Sequence, residues 1–244
     1  MIPKVIHYCW FGRNPLPALA LECIASWKKY FPDYEIKEWN EDNFDVNIIP
    51  YTKEAYELGK YAFVSDYARF WILYQEGGVY FDTDVEVIRS MDDILSKGAF
   101  MGFERDPDKW EKGFVAPGLG LAVEKEHHII KSLLERYKNL KFVLPDGSLN
   151  LEQTIVHYTT EVLERNGLKQ ISGVQELAGI TIYPAEYFAP IHFITRRLHV
   201  TSNTRTIHRY MASWKERKNK SLLDWIKHYC PESLLLWYNR LSNR

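Results

Sequence analysis

SDYARFWILYQEGGVYFDTDVE, residues 65–86, runs from a charged helix through a glycine pair into an aromatic strand that ends on two carboxylates. Residues 61–75 place Phe63, Phe70, Trp71 and Tyr74 on one side of that helix, and Asp66 and Arg69, three apart, on the other. Gly77-Gly78 stops the helix in the manner of a glycine C-cap. Residues 79–81 read as a buried strand that delivers Asp82 and Asp84 on either side of Thr83. Two carboxylates so close repel each other, and a divalent cation with oxygen ligands keeps both ionised at a strand end. The stretch points to a site for a metal and a diphosphate, although an isolated Asp-x-Asp also serves as a solvated turn.

Working outward, residues 4–10 alternate as a first strand, Pro15 and Pro17 punctuate a loop, residues 19–30 have helical spacing, and residues 34–39 form a second strand. This β-α-β start favours a parallel α/β sheet. Nucleotides bind such sheets at the carboxyl ends of the strands, where Trp10, Phe11 and Gly12 end the first strand and Trp39 and Asn40 the second. Beyond residue 86 the pattern predicts a short helix at 91–95, strands at 100–103 and 119–123, helices at 127–138 and 152–166, and a strand at 180–183. Residues 116–120, APGLG, form a plain turn or let a ligand approach the backbone. Residues 205–214, RTIHRYMASW, have strand character followed by a turn, and two amphipathic helices flank Pro231.

The chain has 244 residues, 46% of them hydrophobic, which suffices for one large domain. A formal net charge of -1 argues against nucleic acid as the main partner. Residues 196–244 nevertheless carry 11 Lys+Arg against 3 Asp+Glu, a basic tail on an acidic body. There is no leader-like N-terminus and no window long and apolar enough to span a membrane, so the expected location is cytoplasmic. Cys9, Cys23 and Cys230 lack metal-ligand spacing and read as buried thiols.

The order IPKVIHYCWFG, EWN, SDxxR, GGVYxDxD and a late IHxxxxSW resembles the glycosyltransferases whose sugar-binding region contains the Asp-x-Asp motif. That family includes yeast initiating mannosyltransferases and bacterial capsular polysaccharide synthesis transferases. More distantly it includes the catalytic domains of clostridial glucosylating toxins. The resemblance covers residues 1 to about 95 well and 205–214 more loosely.

It implies a GT-A type α/β fold, a single domain with a Rossmann-like nucleotide-binding sheet and flanking helices. The catalytic domain would span residues 1–220, with C-terminal amphipathic helices at 221–244. The implied function is metal-dependent, retaining transfer of a hexose or N-acetylhexosamine from a nucleotide sugar, with UDP favoured as carrier. The acceptor would be a surface glycan, such as a lipid-linked oligosaccharide. Mn2+ or Mg2+ would bridge the diphosphate, with Asp84 and His208 as its protein ligands. Asp82 would hold the ribose or sugar, although the sequence alone does not rank the two carboxylates.

Asp66 and Arg69 would grip sugar hydroxyls and diphosphate, and Ser213 and Trp214 would contact the diphosphate. Trp10 would stack on the base, with Tyr8 and Phe11 nearby and Asn40 at the neighbouring strand end. Each has a plainer reading: a surface ion pair for Asp66 and Arg69, core rings for Trp10 and His208, a turn for Asn40. The basic end suggests peripheral contact with the inner membrane face, or else two ordinary packing helices. No covalent nucleophile stands out, and Glu104, Asp106 and Glu152 are carboxylates without an assigned place. Two other functions compete: a protein-modifying effector, and a catalytically silent nucleotide-sugar binding module.

Overall fold

Alternating side chains on a central sheet sort the interior into two layers, and helices cover both faces. The computed structural model describes residues 1–109, 112–192 and 195–211. In chain order the elements are β1 (Val5–Cys9), α1 (Ala18–Tyr30), β2 (Glu35–Trp39), α2 (Pro50–Glu57), α3 (Tyr61–Glu76), β3 (Gly78–Tyr80), β4 (Val85–Val87) and α4 (Asp92–Leu95). They continue with β5 (Ala99–Arg105), β6 (Phe114–Val115), β7 (Leu121–Val123), α5 (His128–Tyr137), α6 (Ile155–Arg165), β8 (Gln175–Leu177), β9 (Ile180–Tyr183) and β10 (Thr206–His208).

The sheet runs β2-β1-β3-β7-β5-β9-β8, with β6 paired to β5. β1 is parallel to both β2 and β3, as the β-α-β opening predicts. The parallel expectation does not extend across the whole sheet. β7 runs antiparallel to both β3 and β5, β9 is parallel to β5, and β8 antiparallel to β9. The sheet is therefore mixed: β8 and β9 form a hairpin across residues 178–179, while β7 inserts antiparallel between β3 and β5 after the 116–120 turn. The α/β class with flanking helices stands.

Period-two alternation assigns the faces. Ile6 and Tyr8 of β1, Val79 of β3, Phe100 of β5 and Ala122 of β7 pack with Cys23, Ile24 and Trp27 of α1. Cys9, Tyr80, Met101, Phe103, Leu121 and Val123 face the layer built from α2, α3, α5 and α6. Helix α3 lies in that second layer against β1 and β3. Its capping amide, Gly77, has a φ of 67° and donates to the Leu73 carbonyl. A side chain there would meet the Lys125 backbone nitrogen at 2.7 Å, so glycine alone suits both the turn and the contact.

β4 leaves the main sheet and pairs antiparallel with β10, setting His208 opposite Val85. This two-stranded ribbon carries the late histidine back to the Asp-x-Asp. Among the described residues no helix is long and apolar enough to cross a membrane.

His7, in mid-strand on β1, is fully buried. Its Nδ1 accepts a hydrogen bond from the Trp39 indole at 3.0 Å, so Nε2 carries the proton and donates to the Gly77 carbonyl at 2.9 Å. Burial lowers its pKa to about 4, against the opposing pull of the Gly77 carbonyl and Glu76, while Lys37 adds to the lowering. The folded state thus resists protonation that the unfolded chain accepts near pH 6.5. The neutral ring contributes stability above that pH, about 3 kcal/mol, which is lost as pH falls toward 4. Urea unfolding midpoints at about pH 7 and about pH 4.5 should differ measurably, and His7→Gln should narrow the gap.

Candidate functional site

Three neighbouring parallel strands end together, with Trp10 just past β1, Asn40 past β2 and Asp82 past β3. The carboxyl ends of the strands thus gather residues that the sequence analysis singled out.

At the centre lies Arg69. Its side chain is only 5% exposed, and each arm of the guanidinium is engaged. Nε donates to the Ser65 carbonyl, one terminal nitrogen meets Asp66 Oδ1 at 3.1 Å, and the other meets Asp82 Oδ1 at 3.1 Å. The guanidinium also lies over the Tyr80 ring, 4.7 Å from its centroid. Helical spacing puts Asp66 and Arg69 on one face, while strand periodicity sends Tyr80 and Asp82 to the same side of the sheet. The pair is buried, so the surface ion-pair reading does not hold.

Burial pushes the Asp66 carboxyl up to about 7, against the pull of Arg69, and the charge of Asp82 pushes the same way. Burial also raises the Cys9 thiol to about 12, which leaves it a neutral packing group despite the nearby Arg69.

Asp82 is seated by the 116–120 turn. Its amide donates to the Gly118 carbonyl, and Tyr80 Oη donates to its Oδ1. A Cβ on Gly118 would lie 1.9 Å from Asp82 Oδ2 and 2.9 Å from an Arg69 nitrogen. The glycine makes room for the protein's own carboxylate. Of the two roles the sequence allows for this turn, a ligand approach or a plain turn, its backbone makes way for Asp82.

Asp84 faces the β4–β10 ribbon and is buried. Its Oδ1 lies 3.0 Å from His208 Nε2 and its Oδ2 accepts from the Met211 amide at 2.8 Å. Tyr210 makes the second contact possible by turning the backbone at a φ of 50°, a conformation that non-glycine residues rarely hold. Burial opposes ionisation of Asp84, but His208 and the Met211 amide outweigh it and hold the carboxyl below its ordinary value. For His208 burial favours the neutral ring, and Asp84 overcomes that and raises its pKa.

Asp82, Asp84 and His208 each bring a ligand atom into one group, all within 4.8 Å of one another. The donor set fits a divalent cation: the two carboxylates supply hard oxygen ligands and the imidazole a nitrogen ligand. The 3.0 Å contact between Asp84 and His208 also matches the spacing of adjacent ligands around an octahedral ion bound at ~2.1 Å. Among the described residues, His208 Nδ1 is buried with no hydrogen-bond partner.

Other expected contacts differ. Tyr8 is buried, its ring edge-on to Trp27 and its hydroxyl donating to Glu38 at 2.6 Å, so it offers no ring face to a ligand. Phe11 packs on Phe44 in the core. Asn40 donates to the other oxygen of Glu38 and accepts from the Asp42 amide, the work of a turn residue. Trp10 is half-buried, with its indole N–H bonded to the Asn14 carbonyl. Ser213, Trp214 and the C-terminal helices lie outside the described residues.

Of the three unassigned carboxylates, Asp106 is buried beneath the Ala185 amide and Glu152 is exposed. Glu104 is hydrogen-bonded to Tyr210, whose ring stands 4.3 Å from that of His208. Tyr80, Gly118, Tyr210 and Met211 are site residues that the motif reading missed. Each had a signal: Tyr80, Tyr210 and Met211 lie inside GGVYFD and IHRYMASW, and Gly118 lies in the 116–120 turn.

Residues 17–101 match the family model of the glycosyltransferase sugar-binding region containing a DXD motif. The resemblance drawn from the sequence is borne out over this segment, and Asp82-Thr83-Asp84 supplies its Asp-x-Asp. Inositol phosphoceramide mannosyltransferase 3 of Schizosaccharomyces pombe is 32% identical over 104 residues, 41% of this chain and 29% of that protein. Inositol phosphoceramide mannosyltransferase 1 of the same yeast is 32% identical over 111 residues, 41% of this chain and 33% of that protein. The chain thus spans about a third of the length of these curated relatives. Among solved structures, the PaToxG glycosyltransferase aligns with a TM-score of 0.49 at 18% identity, covering 67% of this chain and 69% of its own.

Gly118→Ala should drive Asp82 away from Arg69 and cost about 1–3 kcal/mol, read from urea unfolding. The same variant should weaken Mn2+ binding, followed by electron paramagnetic resonance of the free ion, while the far-ultraviolet dichroism stays native.

Proposed function

We propose that this protein is a metal-dependent, retaining glycosyltransferase that moves a hexose or N-acetylhexosamine from a nucleotide sugar to a glycan hydroxyl. The observation that carries the reading is the convergence of Asp82, Asp84 and His208 within 4.8 Å, beside the buried Arg69, in a chain whose residues 17–101 match the sugar-binding region.

In this reading Asp84 and His208 hold the cation, and Asp82, fixed by Arg69 and Gly118, stands beside it toward the donor. The bound Mn2+ or Mg2+ supplies charge stabilisation to the leaving diphosphate. Trp10, at the same end of the sheet, flanks the nucleotide. Arg69 acts chiefly by position, since its fork is committed to Asp66 and Asp82.

A double displacement needs a carboxylate nucleophile on the face opposite the leaving group, whereas a same-face route needs none. There the bond from the anomeric carbon to the diphosphate oxygen breaks on the face where the acceptor oxygen bonds. The hydroxyl proton passes to the departing diphosphate.

The carrier divides two variants of the reading. UDP is the base expected from the bacterial resemblance, whereas the names of the yeast relatives favour a mannosyl donor. A lipid-linked or other surface glycan is the proposed acceptor class. The catalytic unit is taken as residues 1–220, and contact with the inner membrane face rests on the basic composition of the tail alone.

The test is nucleotide release from a panel of UDP-glucose, UDP-galactose, UDP-N-acetylglucosamine and GDP-mannose, with Mn2+ and after chelation. One donor should turn over, chelation should stop it, and Asp84→Asn should lower turnover at least ~100-fold with the fold retained. Binding of a nucleotide sugar without turnover under any acceptor would instead favour a silent binding module, and undiminished activity in Asp84→Asn would defeat the metal assignment.

A further inference from the structure

A small hollow lies one side chain, Tyr210, away from the group of Asp82, Asp84 and His208. It is a cleft of about 90 Å³ lined by Glu104, Arg105, Phe114, Thr154, Val156 and His157. On this measure one water needs ~10–15 Å³, so the space takes several waters or the edge of one sugar ring. The end of β5, the short β6 and the first turn of α6 form its walls.

The hollow and the site are joined by direct contacts. Glu104 is hydrogen-bonded to Tyr210, and the Tyr210 ring packs edge-on against His208, which meets Asp84 at 3.0 Å. A group seated beside Glu104 is therefore one tyrosine away from the ligand cluster.

The lining selects a chemistry. Glu104 and Arg105 balance in charge, which disfavours a phosphate or other anion. His157 accepts the Thr154 amide hydrogen bond through Nδ1, so its Nε2 is the donor nitrogen, and burial with Arg105 and Lys112 nearby favours the neutral ring. The Glu104 carboxylate and the His157 Nε2–H set an acceptor and a donor side by side, with the Arg105 guanidinium over the Phe114 ring beside them. Vicinal hydroxyls, each both donor and acceptor, satisfy such a set. Phe114, set edge-on to His157, adds an apolar wall for the C–H face of a ring.

We infer that this cleft is the acceptor subsite and takes a neutral, hydroxyl-rich pyranose ring, with Glu104 accepting a hydrogen bond from one of its hydroxyls. The inference rests on the glycosyltransferase reading above and deepens it by assigning the acceptor's side of the site.

Binding is tested apart from catalysis. The methyl pyranosides of glucose, galactose and mannose are titrated into the full chain while the His157 ring protons and the Thr154 amide are followed by nuclear magnetic resonance. At least one glycoside should shift these signals saturably, and Glu104→Gln should weaken that binding about tenfold. Phe114→Leu, which keeps an apolar side chain at the wall, should weaken it by a smaller factor and guards against a misfolded Glu104 variant. No saturable shift with any glycoside, equal affinity in both folded variants, or displacement of the same signals by inorganic phosphate would overturn the inference. Sugar binding here without nucleotide-sugar turnover would sink the proposed activity alone; turnover without sugar binding here would sink the subsite alone.

Discussion

A guanidinium removed from water must find its compensation inside the protein, and Arg69 finds it in Asp66 and Asp82. Withdrawing one partner from such a pair typically costs ~3–5 kcal/mol, because the remaining charge stays buried and uncompensated. That demand ties a helix to a strand end. Asp66 lies one turn before Arg69 on α3, Asp82 lies two residues beyond Tyr80, and Gly118 stands aside so the carboxylate fits. The end of β3, the pitch of α3 and the 116–120 turn are thereby fixed relative to one another. The Asp-x-Asp is presented at a defined point rather than on a loose loop.

The ribbon of β4 and β10 sets the other half of the site. Backbone pairing puts His208 opposite Val85, and the Arg209 amide closes on the Asp84 carbonyl. Tyr210 then adopts a left-handed conformation that aims the Met211 amide at Asp84. Strain at this residue is offset by two contacts on one buried carboxylate, a pattern common where geometry serves a ligand.

What the sequence revealed followed from periodicity and order. Helix α3 and strands β1, β2 and β3 were legible because their apolar residues repeat at 3.6 or 2 and are bounded by glycine or proline. His208 was legible through IHxxxxSW, and its approach to Asp84 follows the expected convergence. Helix α2 went unread because it is short and polar, with Tyr51, Thr52 and Ala55 its only buried side chains. β6 and β8 are two and three residues long, too short to show a period, and their pairing is set by neighbours. Tyr8 and Asn40 were placed at the right ends of the right strands, yet alternation turned Tyr8 into the α1 layer and Glu38 engaged both. A single sequence does not say which face of a two-sided strand looks at a ligand. Nor does it say whether a glycine clears space for a substrate or for the protein's own aspartate.

The path of β10 has a bearing on biosynthesis. Asp82 and Asp84 emerge from the ribosome early, with β1, β2 and β3 already made, but their imidazole partner is encoded far downstream on the last strand of the described fold. Helices α5 and α6 and strands β5 to β9 must all be made before the ribbon can close. Closing so long a loop carries an entropic cost that grows only slowly with its length. A nascent chain therefore lacks the imidazole beside its two aspartates until β10 has been made, and the approach of His208 to Asp84 reports that the ribbon has zipped.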